Sequence, residues 1–511
     1  MSIELTRQMF LRALGAGAAL FVLRNTFGCE SQQPRNSHAS PAQPQLVRPS
    51  GSTSAAAKHD TFTFRSRPDL SPPAVEVNTQ AHEVAPGYVF VSPKKGPGQE
   101  GPMILDDGGQ LVWFRPVKHE PHYYAMDFKV QRYRGEPVLT WWKGHVHVFG
   151  VGTYLIFDTT YSEIARVRAG NGYRGDLHEF LITPEDTALL TIYSRVPADL
   201  SAFGRSKDSE AYEGILQEVD IETGEVLFEW HSSEHVSIDE SYGKPPDNPK
   251  YPFDYFHINS IDIDYDGHFL VSARNTWAIY KIDRNTGEVL WRLGGKNSDF
   301  EMGEGTRFAF QHDARRQRDG TITIFDNGAV PQVHDQSRGI VVGLDEQKRS
   351  ASLVKEYKHA HKLLAGTQGS MQVLPGGNVF IGWGGEGYFS EFSSDGKLLF
   401  DANFPPHNES YKAYRFRWNG QPSESPALVA ERSSEHEVRL YPSWNGATEI
   451  ATWEVLAGPD PEQLKYIGSV PRDGFESTII AETSEPYVGV EAKDSADRVL
   501  GASRAVKADG A

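Results

Sequence analysis

The sequence predicts an all-β chain: a six-bladed β-propeller followed by a small C-terminal β-sandwich of fibronectin III or immunoglobulin type. The first observation is a repeat. Hairpins turn at Asp106, Asp158, Asp220, Asp283 and Asp345, with a weaker sixth near Ser393, at spacings of 52, 62, 63, 62 and about 48 residues. The second is the content of each unit, three or four short runs of Val, Ile, Leu, Phe and Tyr parted by Gly, Asp or Asn turns. Four-strand units at such a period are the signature of propeller blades, whereas a parallel β-helix repeats far sooner. The third is a register: His178, His257 and His312 open three successive units. Equivalent positions in radially stacked units face a common axis, so the three imidazoles are expected to converge.

Each unit can be read off in order. The hairpins are ILDDGGQLVWF from Ile104, LIFDTTYSEIARV from Leu155, EVDIETGEVLFEW from Glu218, KIDRNTGEVLWRL from Lys281, VGLDEQKRSASLVKEY from Val342 and SEFSSDGKLLFDA from Ser390. Ahead of the third, fourth and fifth stand HEFLITPEDTALLTIYS, HINSIDIDYDGHFLVSAR and HDARRQRDGTITIFDNG; SMQVLPGGNVFIGWG from Ser370 opens the sixth. The propeller is thus placed at residues 62–416. Two polar, Gly- and Pro-bearing insertions, Pro197–Glu213 and Ser232–Phe253, fall in loops at a propeller face, as walls of a site or as plain surface. At residues 417–511 the period gives way to short alternating strands such as HEVRLYPSW and YVGVEAKD, which read as the sandwich, with Trp444 and Trp453 as its core or edge aromatics.

At 511 residues the chain exceeds one compact core and is expected to form two domains and a tail. A formal net charge of −17 argues against nucleic acid or an anionic membrane surface as a partner. Residues 1–29 read as an export signal: Arg7 and Arg12 stand ahead of an apolar stretch from Ala13 to Leu23 that is short for a membrane span. TRQMFLR is like a twin-arginine signal with Gln8 where the second arginine belongs. The only cysteine, Cys29, follows the apolar stretch as in a lipoprotein processing site. Lipidation there and an incidental cysteine in a removed peptide both stay open. Localisation is therefore expected to be exported, in the extracellular, periplasmic or cell-surface space, with a membrane reached only through an N-terminal lipid anchor. Residues 30–61 carry Ser, Pro, Gln and Ala with few large apolar groups, the composition of a flexible linker.

The candidate site collects around the axis. His257 and Asn259, two apart on one strand, share a face if alternation holds. Arg274 ends the strand FLVSAR and returns to the same end; His178 and His312 hold the matching positions next door, and Ser370 and Gln372 those of the sixth unit. Three imidazoles, a guanidinium, an amide and a hydroxyl, with no carboxylate at equivalent positions, make a donor-rich pocket suited to a tetrahedral oxyanion such as sulfate or phosphate. A metal held by three histidines competes with that reading, but Arg274 would repel a cation. On alternation Asp313 faces away from the channel. Asp326 makes a turn with Asn327 and Gly328, and His145 and His147 either join the channel or lie on a strand face.

These segments resemble the arylsulfotransferase (arylsulfate sulfotransferase) family, in its fungal and actinobacterial-type branch. The likeness runs over FRSRPDLSPP from Phe64, APGYVFVSP from Ala85, GPMILDDGGQLVWF from Gly101, DLHEFLIT from Asp176, FHINSIDIDYDGHFLVSARNTWAIYKID from Phe256, FAFQHDAR from Phe308 and GSMQVLPGGNVFIGWG from Gly369. It implies a six-bladed propeller that moves a sulfuryl group between phenols with no cofactor and no PAPS-type nucleotide donor. It further implies His312 as the sulfated nucleophile, His257, His178 and Arg274 as catalytic partners, and Asn259 and Ser370 on the substrate, where the register adds Gln372. An aryl sulfate donor and a phenolic acceptor would be the partners. A non-catalytic surface propeller binding a sulfated or anionic ligand, and a sulfate-ester hydrolase, stay open beside this reading.

Overall fold

The computed structural model describes residues 47–49 and 60–510. The expected signal peptide, Cys29 and most of the expected linker lie outside the described residues. The described chain is all-β, and residues 45–511 form one compact unit. No helix among the described residues is long and apolar enough to cross a membrane.

Six sheets, each built on four antiparallel strands wound neighbour to neighbour, follow one another along the chain; Phe253–Asp254, Glu301–Met302 and Glu76–Thr79 add a fifth strand to the third, fifth and sixth. The second to sixth begin with Tyr123–Tyr133, Phe180–Ile182, Ile258–Ile263, His312–Arg316 and Ser370–Val373. The first sheet takes Tyr88–Val91, Met103–Leu105 and Leu111–Phe114 from the N-terminal side and Tyr414–Phe416 from the far end of the ring. Those six leading strands, with Thr187–Ala198 bridging the third and fourth sheets, meet around a closed ring. Ser370 and Gln372 clip it shut. The Ser370 hydroxyl donates to the Ala413 carbonyl at 2.8 Å and accepts from the Ala413 N–H at 3.1 Å, and the Gln372 amide pairs with both backbone groups of Arg415.

The periodic acidic turns have a local cause. The side-chain oxygens of Asp106, Asp158, Asp220, Asp283 and Asp345 accept backbone N–H groups two to four residues on, as Ser393 does from Lys397. Each replaces a ladder bond that the reversal removes. Between the sheets lie dense apolar clusters, with Trp142, Trp230 and Trp383 fully buried.

Beyond the ring, two five-stranded sheets share one core that includes Trp444 and Trp453. One contains Val47–Pro49, so part of the segment expected as a linker is an edge strand. Val47 is 3% exposed and packs over Gly468, and Pro49 is tolerated because an edge strand leaves one side of its backbone unpaired. These sheets dock on the ring through Asn445, which holds both backbone groups of Phe114 at 2.9 Å, and through Trp418, whose indole donates to Tyr161 at 2.9 Å.

In the middle of the ring lies a buried ion cluster. Lys412, fully buried, reaches Asp127 at 3.1 Å, Glu179 at 3.2 Å and Asp313 at 3.6 Å. Lys129 pairs with Asp127 at 2.8 Å and Glu179 at 2.5 Å, and Arg315 pairs with Glu179 and Asp313. Burial would raise the Glu179 and Asp313 carboxyls, but Arg315 and Lys412, joined at Glu179 by Lys129, outweigh it and hold both below their ordinary values. Removing one member strands buried charge. Lys412→Met is therefore expected to cost about 3–5 kcal/mol in urea unfolding; a loss within experimental error would show that the cluster does not hold the ring.

Candidate active site

The three histidines converge at the end of the ring where its leading strands begin. His312 is the first residue of its strand and is buried. Its Nδ1 lies 2.7 Å from the Asn327 Oδ1. The amide orientation is fixed because Asn327 Nδ2 donates to the carbonyls of Ala365 at 3.0 Å and Gln368 at 2.9 Å. The acceptor therefore faces the ring, the proton sits on Nδ1, and Nε2 keeps its lone pair. The only group at Nε2 among the described residues is the Gln368 N–H, at 3.3 Å. Burial, reinforced by the Arg274 charge, holds the His312 pKa well below 6.5, so the ring is a neutral base.

The other two histidines are built differently. His178 Nδ1 meets Asp176 Oδ1 in a very short contact, and the second Asp176 oxygen accepts the Gly150 N–H at 2.7 Å. His257 Nδ1 meets Asp254 Oδ2 at 2.5 Å; burial lowers its pKa despite that carboxylate. Both rings thus turn Nε2 away from their carboxylates, and they stand edge to face at 5.0 Å. The expectation of a pocket without carboxylate partners is corrected here. The acids lie two and three residues ahead of their histidines, outside the repeat register, so a search of equivalent positions passes over them.

Arg274 reaches the site as expected. It donates to Asn275 Oδ1 at 2.8 Å and the Gly366 carbonyl at 3.1 Å and stacks 4.7 Å over Phe310; among the described residues no carboxylate pairs with it. Three of its five N–H groups are left for a ligand.

Asn259 is placed otherwise than alternation predicts. His257 has φ 60° and precedes the strand, and the register shifts between Ile258 and Ser260, so Asn259 is a bulge residue. Its Nδ2 donates to the Gln311 carbonyl at 2.7 Å, steadying the segment that carries His312, while its buried Oδ1 has no partner. A similar shift between His312 and Arg315, with φ 53° at Asp313, turns Asp313 into the central ion cluster rather than away from the channel. Ser370 and Gln372 are spent on ring closure and do not reach the histidines. Asp326 accepts from the Ala309 N–H and pairs with Arg338, which makes it structural. His145 and His147 are exposed and stacked on each other at 6.2 Å, on the hairpin tip that also carries Phe149.

Aromatic walls complete the site, and the sequence did not single them out. Tyr193 stacks on Phe149 at 3.7 Å and touches His178 and His257 at 5.5 and 5.6 Å. Its hydroxyl donates to the Ile258 carbonyl at 2.5 Å. Tyr411 forms the floor, 5.6 Å from His178 and 6.5 Å from His312. Tyr193 belongs to a second strand and Tyr411 to the closure segment, so neither shares the histidine register. In that arrangement one neutral imidazole faces a cationic guanidinium and two carboxylate-oriented imidazoles beside an aryl-sized wall, which equips it for nucleophilic attack on an anionic group with proton transfer to an aromatic leaving group.

Because His312 and His257 have folded pKa values below 6.5, the unfolded chain binds protons below that pH that the folded chain refuses. Stability is full above 6.5 and declines as pH falls toward the folded values. A His312→Gln variant is expected to show a shallower decline in urea midpoint than the parent between about pH 7 and about pH 5; identical slopes would mean that His312 is not buried neutral.

No curated protein matches the chain. Among solved structures, a protein of unknown function from Bacteroides caccae is 15% identical, with 64% of this chain and 98% of that one covered and a TM-score of 0.39. Virginiamycin B lyase from Staphylococcus aureus is 8% identical, covering 80% and 98%, with a TM-score of 0.33. The Cps50 (Swd1) β-propeller domain from Myceliophteria thermophila is 12% identical, covering 72% and 98%, at 0.32. Scores so low carry no argument. The family model described as arylsulfotransferase (ASST) matches residues 129–405, which include every histidine of the site, its two carboxylates and Arg274. That match takes in more than half of the sequence, and the chain belongs to the arylsulfotransferase family.

Proposed function

We propose that the six sheets are the blades of a closed six-bladed β-propeller carrying a β-sandwich, and that the protein is an arylsulfate sulfotransferase. It would move a sulfuryl group from an aryl sulfate ester to a phenolic acceptor through a sulfohistidine at His312, with no nucleotide donor. The observation that carries the reading is the tautomer of His312: Asn327 fixes the proton on Nδ1, so Nε2 carries the lone pair, met among the described residues only by the Gln368 N–H at 3.3 Å.

In the first half-reaction His312 Nε2 attacks sulfur in line, the N–S bond forms and the S–O bond to the aryl group breaks. The Nδ1 proton stays on the ring, donated to the neutral Asn327 oxygen, so the product is a sulfo-imidazolium that remains a good leaving group. Arg274 and the Gln368 N–H lie where sulfuryl oxygens gather charge. His178 or His257, oriented by its carboxylate and taken up in the imidazolium form, would give its Nε2 proton to the departing phenolate. In the second half-reaction the acceptor phenol loses its proton to the same imidazole, its oxygen attacks sulfur, and the N–S bond breaks. Phe149 and Tyr193 would hold each aromatic ring in turn.

Intact-protein mass spectrometry after brief exposure to nitrophenyl sulfate is expected to show a gain of one sulfuryl group, discharged by added phenol and missing in His312→Asn. No gain in the folded parent, with no phenol released, would instead support the anion-binding surface propeller. Release of free sulfate undiminished by added phenol would support a hydrolase. Asp254→Asn and Asp176→Asn together are expected to slow transfer from unsubstituted phenyl sulfate by about 10²-fold or more. The same pair should slow nitrophenyl sulfate much less, because nitrophenolate leaves without a proton. Equal losses for both donors would remove the acid role from these pairs.

A further inference from the structure

Tyr212 of the first insertion backs Phe149 of the site wall at 4.8 Å, and elsewhere the two insertions meet each other and enclose a groove of about 470 Å³ together with Lys296. Phe203 and Arg205 come from the first insertion, and Tyr242, Lys244 and Asp247 from the second. In a chain of net charge −17 this groove gathers three cations against one carboxylate. Among the described residues Arg205 and Lys244 make no ion pair. Lys296 donates only to the carbonyls of Asp239 and Ser241, at 2.9 and 2.6 Å, and lies 5.1 Å over the Tyr242 ring. Cations left without carboxylates are free to meet an incoming anion.

The groove is joined to the site by a continuous path of contacts. Tyr242 stacks on Trp277 at 3.7 Å with the rings 4° from parallel, Trp277 packs on Phe310 at 5.1 Å, and Phe310 lies under the Arg274 guanidinium. Hydrogen bonds run in parallel. Asn275 accepts from Arg274, donates to the Asp254 carbonyl at 2.6 Å, and through its own carbonyl accepts the Tyr242 N–H at 2.8 Å. The wall of the groove is therefore anchored on the residue that also holds Arg274 and the partner of His257. The Trp277 indole N–H is buried along this path without an acceptor.

Stacked rings join Arg274 to a basic, part-aromatic groove, an arrangement that suits an extended aromatic anion. We infer that the groove is a second subsite, taking the remote anionic end of an extended aromatic substrate whose transferable sulfuryl group sits at Arg274 and His312. The preferred donor or acceptor is then a polycyclic or linked aromatic molecule bearing a second sulfate, sulfonate or carboxylate, not a simple monoanionic phenyl ester. The inference rests on the proposed sulfuryl site for its near end only.

Equilibrium binding tests it without any turnover. Naphthalene monosulfonate and an elongated biphenyl disulfonate, neither of which can transfer a sulfuryl group, are titrated by calorimetry into the full-length protein and into the Arg205→Ser, Lys244→Ser double variant. The disulfonate is expected to bind the parent at least about tenfold more tightly than the monosulfonate, and the double variant to abolish that preference. A second double variant that keeps the charges, Arg205→Lys with Lys244→Arg, is expected to restore it. No preference in the parent, or a preference untouched by charge removal in a variant with unchanged thermal unfolding, would overturn the inference. Failure of the sulfohistidine test with a retained disulfonate preference would instead leave an extended anion-binding protein.

Discussion

The structure depends on charge buried where six sheets meet. Lys412, Lys129 and Arg315 face Asp127, Glu179 and Asp313, drawn from the second, third and fifth sheets and the closure segment. Such a cluster is tolerable only if every member is paired, because each ion has lost its water. A change in the position of any one sheet would leave charge stranded. The cluster therefore fixes the mutual placement of leading strands that share few hydrogen bonds with one another.

That constraint also places the chemistry. Glu179 follows His178, Asp313 follows His312, and Lys412 follows Tyr411 in the chain. At each pair one side chain enters the cluster and its neighbour enters the site above it. A bulge with a positive φ at Asp313, and another around His257 and Asn259, supplies the turn that lets adjacent residues serve both. Strain at these positions is sustained by the ion pairs beneath them. Three histidines that look equivalent in the repeat are thereby given unlike partners. Two lean on carboxylates that orient their rings, and one leans on a neutral amide in a buried place. Under the proposed mechanism that difference would separate the proton carriers from the nucleophile.

Closure of the ring is a second consequence. The first sheet is completed by Tyr414–Phe416, which pairs with Tyr88–Val91 at its inner edge, so the ring closes between strands from its two ends. Ser370 and Gln372 are committed to that seam, and so are unavailable as substrate ligands despite their register. The same segment carries Tyr411 and Lys412, which couples completion of the ring to completion of the site floor.

By itself the sequence determined what is local and periodic. The hairpin turns were legible because an aspartate caps each reversal with its own side chain, and the strand runs because a pleated, half-buried surface selects Val, Ile and aromatic residues. The convergence of His178, His257, His312 and Arg274 was legible because it follows from the repeat alone. Tertiary structure alone decided the rest. Asp176, Asp254 and Asn327 become ring partners only through bulges and a folded-over loop, where side-chain alternation fails. Tyr193, Tyr411 and the groove between the two insertions are assembled from segments far apart in the chain. Whether a polar residue such as Ser370 or Asn259 faces a ligand or a backbone carbonyl depends on which neighbour arrives with an unpaired group, and no spacing within one strand contains that information.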